Sequence, residues 1–134
     1  MSEIKPSICD LKFNFNGKSL GYSNEQRQIF ILRMNDIGVW EHSAHWEAHD
    51  GPILSLSWAH PEFGSILASS SSDCQVIVWE EVEEDLYHHS LSSRWVSRAC
   101  LSDMSHAVLS IEFAPRFFGI LLVFTFLSSL LNFF

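Results

Sequence analysis

The sequence predicts an all-β chain, a β-propeller fragment of about two and a half blades of antiparallel four-stranded sheet. Three observations carry this. Short apolar runs of strand length recur along the chain, several alternating with polar residues and most bounded by turn residues. No helix-length amphipathic run with clear caps competes with them. Strand endings also recur in order: Phe15, Trp58 and Phe113 are spaced 43 and 55 residues apart, the second interval stretched by an acidic insertion. Propeller blades repeat at roughly 40–45 residues. An ordinary sandwich shares the strand spacing but does not explain the repeated order of endings.

Residues 8–15 (ICDLKFNF) alternate with period two: apart from Ile8, odd positions are apolar and even ones polar. Asn16-Gly17 supplies a hairpin turn tolerant of positive φ. A second run follows at 18–23 and a third, QIFILRM, at Gln28–Met34. Residues 39–46 (VWEHSAHW) form a fourth strand, whose mixed polarity suits an exposed edge. Asp50-Gly51-Pro52 then marks a turn and the cycle restarts. ILSLSW (Ile53–Trp58), the loop HPEFG, ILASSS (Ile66–Ser71) and QVIVWE (75–80) follow, the last two flanking a tight connection at 72–74. EEVEEDLYHHSLSS (80–93) reads as a long polar loop and RWVSRACL (94–101) as the next strand. A third cycle starts at AVLSIEFAP (107–115). Residues 1–119 therefore form the partial propeller, with blades at about 8–46, 53–101 and 107–119, and residues 120–134 form an apolar tail.

Composition excludes several function classes. Sixteen acidic residues against eight basic ones leave a net charge of −8, and no Lys or Arg occurs between Asp36 and Asp85. Such a surface repels phosphates, so no direct nucleic-acid partner is expected. Cys9, Cys74 and Cys100 are odd in number and widely spaced, which suits a reducing compartment. MSEIKPSICD has no apolar core of a secretory signal.

The segment AHDGPILSLSWAHPEFGSILASSSSDCQVIVWEE resembles a WD-repeat blade, with Trp-Glu at its end in place of Trp-Asp. The ordered set WAHPEFG, ILAS, VWEE, RWVSRACL and IEFAPRFFG, with VWEHSAHWEAHD before it, is similar to the Seh/Sec-thirteen family, nearest to Seh-type WD-repeat nucleoporins. The resemblance runs over roughly residues 8–119 and is strongest from Trp40 to Glu81. It implies a structural hydrogen-bond network of His49, Ser69 (or Ser71), Asp73 and Trp79. The chemistry suits burial, because a buried carboxylate must be paired and imidazole and indole N–H groups are donors. The first repeat departs from the pattern: in YSNEQRQIFILRM, Glu25 or Asn24 and Phe30 or Ile31 stand in for the turn Asp and the Trp.

What the resemblance implies about function is a non-enzymatic scaffold. Its relatives sit in the Y-shaped nuclear pore scaffold and in an amino-acid-responsive complex that regulates TOR kinase on the lysosomal or vacuolar surface. The implied partners are an α-helical nucleoporin that supplies an extra blade and other WD-repeat or coat-like subunits. Ile8, Leu11, Phe13 and Phe15 on the first strand form the implied strand-addition edge. A vesicle-coat subunit of the Sec-thirteen type is the alternative. After Gly119 the chain leaves the family pattern, and residues 117–134 carry no charge over 18 positions. A splice or gene-model variant, the completion of the third blade and a tail anchor in a membrane all fit that stretch. Too few blades to close a ring leave apolar faces bare and favour association.

No catalytic, cofactor or metal site is expected. GxGxxG, P-loop, GxSxG and HExxH motifs are absent from the sequence. On a regular strand His42 and His45 face opposite sides, so they do not share a metal. His88-His89 falls in the polar loop, Cys74 has no neighbouring cation to activate it, and Glu80, Glu81, Glu83, Glu84 and Asp85 read as solvated.

Overall fold

A computed structural model describes residues 7–86, 90–102 and 104–126. Among the described residues ten strands form three antiparallel sheets. The first contains β1 (Ile8–Phe13), β2 (Ser19–Asn24), β3 (Gln28–Met34) and β4 (Trp40–Glu47) in that spatial order. The second repeats it with β5 (Ile53–Trp58), β6 (Ile66–Ser71), β7 (Val76–Leu86) and β8 (Ser90–Leu101). The third pairs β9 (Val108–Phe113) with β10 (Leu122–Phe126). Among the described residues the helical pieces are two 3-10 turns, Pro61–Phe63 and Arg116–Phe118. The chain is thus an all-β partial propeller of WD-repeat type.

The register exposes the repeat more sharply than the side-chain pattern does. In β1, β5 and β9 one residue is bulged out of the ladder at the same place: Cys9, Leu54 and Leu109, spaced 45 and 55 residues apart. The outer strands share a second bulge, at Ser43 in β4 and Arg98 in β8. The bulge at Cys9 explains why Ile8 breaks the alternation of its strand, since one extra residue inverts the facing of everything before it.

Equivalent strand ends follow from the same register. Phe13 pairs with Leu20, Trp58 with Leu67 and Phe113 with Leu122. The structural counterpart of Trp58 and Phe113 is therefore Phe13 and not Phe15, which lies in the turn after β1. That turn, Asn14–Lys18, lacks the 3-10 segment that both later blades insert at this point. In those blades Gly64 (φ 102°) and Gly119 (φ 74°) close the insert in backbone conformations that suit glycine.

Two segments differ from expectation. The acidic stretch is an extension of the β7–β8 hairpin, paired from Glu81↔Trp95 out to Leu86↔Ser90. Charge does not prevent this, because the residues paired with Glu83 and Glu84 are Ser93 and Ser92 and not further carboxylates. His88 and His89, and the side chains of Glu84 and Asp85, lie outside the described residues. The apolar segment after Gly119 forms β10 against β9 as far as Phe126. The remainder of the tail, residues 127–134, lies outside the described residues, and with it the second part of the anchor expectation. No helix among the described residues is long and apolar enough to cross a membrane.

The core lies between the sheets. Ile29 and Ile31 on β3, with Ala44 and Trp46 on β4, pack against Ile53, Leu56, Leu67, Ile77 and Trp79 of the second sheet. The opposite face of that sheet packs Ala68, Val76 and Val78 against Val108 and Ile111. Gly21 lets the first sheet approach closely: a Cβ there would stand 3.3 Å from the Trp58 ring. Side chains also bind inner strands to one another. The Leu56 N–H donates to Asp10 Oδ2 (2.8 Å), the Ile111 N–H to Ser55 Oγ (3.2 Å) and the Phe113 N–H to Ser57 Oγ (3.0 Å). At the rim, the Arg33 guanidinium pairs with Glu81 across the two sheets.

Leu67 is fully buried between sheets, whereas the bulged Leu109 is 46% exposed. Leu67→Ala should therefore cost about 2–5 kcal/mol in chemical denaturation. Leu109→Ala should change stability by about 0.5 kcal/mol or less.

Candidate functional site

One polar network interrupts the apolar interior of the second sheet. His49, on the segment entering β5, sends its ring between β6 and the turn that follows it. Its Nδ1 stands 2.9 Å from Asp73 Oδ2 and its Nε2 2.7 Å from Ser69 Oγ. The Trp79 indole N–H on β7 donates to the same hydroxyl at 2.9 Å. Ser69 and the His49 side chain are fully buried. Asp73 is saturated by backbone as well: Asp50 N–H donates to Oδ2 (3.0 Å) and Gln75 N–H to Oδ1 (2.9 Å). Ser71 serves the same corner differently. Its hydroxyl faces the Gly51 and Pro52 carbonyls (3.0 and 2.8 Å) and accepts from the Asp73 N–H (3.1 Å). Of the two serine alternatives, Ser69 is the one that touches His49 and Trp79.

Proton count sets the direction of these bonds. An indole N–H can only donate, so the Ser69 oxygen accepts from Trp79 and its single proton is free for His49 Nε2. His49 then carries its own proton on Nδ1 and donates it to Asp73. This is the neutral tautomer, in agreement with a pKa held below the ordinary histidine value of 6.5. Burial is the dominant cause, and it outweighs the opposing pull of the Asp73 and Asp50 carboxylates. The network joins the entry segment, two strands and a turn, and its one hydroxyl, Ser69, is fully buried and shared between Trp79 and His49. Among the described residues no group of three or more His, Cys, Asp or Glu is arranged to hold a metal ion. All three cysteines are free, and burial with the nearby Glu25 and Asp10 carboxylates pushes the Cys9 thiol up.

The first sheet lacks the network, as its sequence suggests, but with other substitutes. Register aligns Tyr22, Gln26 and Leu32 with Ser69, Asp73 and Trp79. Arg27 (φ 71°) takes the left-handed turn position that Cys74 (φ 67°) takes later. Asn24 closes its turn by accepting from the Gln28 N–H at 3.0 Å. Glu25, Phe30 and Ile31 hold none of the aligned positions.

The face of the first sheet turned away from the second is aromatic. Tyr22 stacks on Phe30 (5.0 Å) and Phe30 on His45 (5.1 Å). His42 joins them, its Nε2 2.9 Å from His45 Nδ1. The bulge at Ser43 brings both histidines to one face, contrary to strict alternation. Leu11 and Phe13 of β1 lie on this side, 42% and 55% exposed, and the Phe13 ring meets Trp40 at 5.8 Å. Ile8 is exposed at the start of the strand. Phe15 leans on His60 at 4.5 Å, away from the others. No sequence signal marked Tyr22, Phe30 and Leu32 as one surface, because their run alternates only weakly.

Comparison with known proteins gives one consistent answer. The chain is 34% identical over 123 residues to Nucleoporin SEH1 of Osmerus mordax, covering 90% of this chain and 34% of that protein. It is 35% identical over 122 residues to Nucleoporin SEH1 of Homo sapiens and to that of Bos taurus, with the same coverage. No family model matches. The chain therefore spans about a third of the length of the curated relatives it matches, and across that span it is Seh1-like.

Two outcomes follow for the network. Ser69→Ala leaves the Trp79 N–H and His49 Nε2 without partners and should cost about 1–3 kcal/mol in denaturant titration. Because His49 is held neutral when folded, protonation favours the unfolded chain. Its contribution is complete above the unfolded value near 6.5 and is lost as pH falls below it toward the lower folded value. Thermal melts between pH 7.5 and 5 should show that loss, and His49→Gln should flatten it.

Proposed function

We propose that this chain, Seh1-like over nine-tenths of its length, is a scaffold module of the nuclear pore that accepts a blade from an α-helical nucleoporin. The observation that supports this most is an inequality between equivalent faces. In the second sheet the side carrying Leu67, Ile77 and Trp79 is buried by Ile29, Ile31 and Trp46 of the sheet before it. The equivalent positions in the first sheet are Leu20, Phe30 and Leu32, and among the described residues no sheet covers them. A donated blade presenting aliphatic residues and an aromatic one, as β3 and β4 do, would complete this face. Docking onto the face engages Ile8, Leu11 and Phe13 together with Tyr22 and Phe30. Strand pairing along β1 is the narrower option, since β1 already lies beside β5: Trp58 Nε1–H donates to the Lys12 carbonyl at 2.9 Å and Leu56 N–H to Asp10. The role is structural; the His49 network holds the module rigid and transforms nothing.

The paired substitution Leu11→Glu, Phe13→Glu should weaken co-purification with a blade-donating helical nucleoporin by about 2 kcal/mol or more, the loss typical of anchor residues. Val39→Glu, at an exposed site in the β3–β4 connection, serves as the control and should leave capture unchanged. Equal capture by both variants, with both folded by circular dichroism, would falsify the assignment.

A further inference from the structure

The ends of the three inner strands enclose a second feature, remote from the His49 corner. β1, β5 and β9 all run from the network side of the molecule to the opposite side. There their terminal aromatics Phe13, Trp58 and Phe113, with Phe15, wall an open cavity of about 730 Å³. That volume falls in the range of small-molecule sites. The lining includes two cations, Lys12 and Arg116, and no carboxylate. In a chain with sixteen acidic and eight basic residues, this is a local reversal of charge. The nearest recorded counter-charge is Glu62, 4.0 Å from Arg116, with both side chains about half exposed, so the guanidinium is weakly committed. Arg116 is also held over the Phe117 ring, 5.5 Å from its centroid.

We propose that this cavity binds an aryl carboxylic acid, its ring between the Phe and Trp walls and its carboxylate toward Lys12 and Arg116. Aromatic walls supply apolar contact without regard to charge, while the two cations select an anion over a neutral isostere. Phe13 is common to this cavity and the proposed blade-accepting face, whereas Leu11, Tyr22 and Phe30 do not line the cavity.

The test uses 4-biphenylacetate and the neutral 4-biphenylacetamide with the full chain, following the Trp58 indole resonance and the heat of binding. Trp58→Phe identifies the resonance. The acid should bind about fivefold or more tightly than the amide at low salt and shift the Trp58 signal. The double variant Lys12→Gln, Arg116→Gln should lose that preference while binding the amide as the unaltered chain does. Equal affinity for acid and amide would reduce the cavity to an unspecific apolar cleft. A preference that survives the double variant, or an unmoved Trp58 resonance, would place the ligand elsewhere; each of these results overturns the proposal.

Discussion

A four-stranded sheet that is apolar on both sides cannot stand in water, and this constraint shapes everything else in the molecule. The second sheet meets it: Leu67, Ile77 and Trp79 are covered on one side, Ala68 and Val76 on the other. The first sheet meets it on one side only. Stability in such an arrangement is cooperative by geometry, because each sheet is both a core and a lid for its neighbour. At the His49, Ser69 and Asp73 corner the polar groups that enter that interior are paired with one another.

The bulges at Cys9, Leu54 and Leu109 give the packing its angular step. Neighbouring inner strands diverge and cannot share a backbone ladder. An extra residue increases twist and turns the next side chain toward the adjacent sheet. That next residue is Asp10 in β1 and Ser55 in β5, and each accepts an N–H from the following inner strand. The repeat therefore conserves a geometric device while changing the residue that exploits it, a carboxylate in one blade and a hydroxyl in the next.

Much of this was legible in the chain, and the exceptions have identifiable causes. Period-two runs and turn residues located most of the strands, and the WD-repeat likeness singled out His49, Ser69, Asp73 and Trp79. The strand-end equivalence was displaced because Phe15 and Phe13 are both apolar at odd positions, and only pairing with Leu20 distinguishes them. Bulges are silent in composition, so His42 and His45 were assigned to opposite sides. The acidic hairpin was hidden for another reason: local charge argues for a loop, while cross-strand partners, up to 14 residues away at Glu81 and Trp95, decide the pairing. The uncovered aromatic side of the first sheet could be recognised only by comparison with its covered counterpart.

The hydroxyl of Ser69 has one proton and two nitrogen neighbours, which makes the chain of bonds from indole to carboxylate directional. Among the described residues neither flanking sheet repeats it. Tyr22 stands at the matching place in the first, and Met104, packed among apolar neighbours, takes the place of His49 in the third. His49, whose protonation burial opposes, therefore sits in the interior of the array. Mild acidification would loosen the corner that ties the entry segment to the middle sheet, a joint that is sealed at neutral pH.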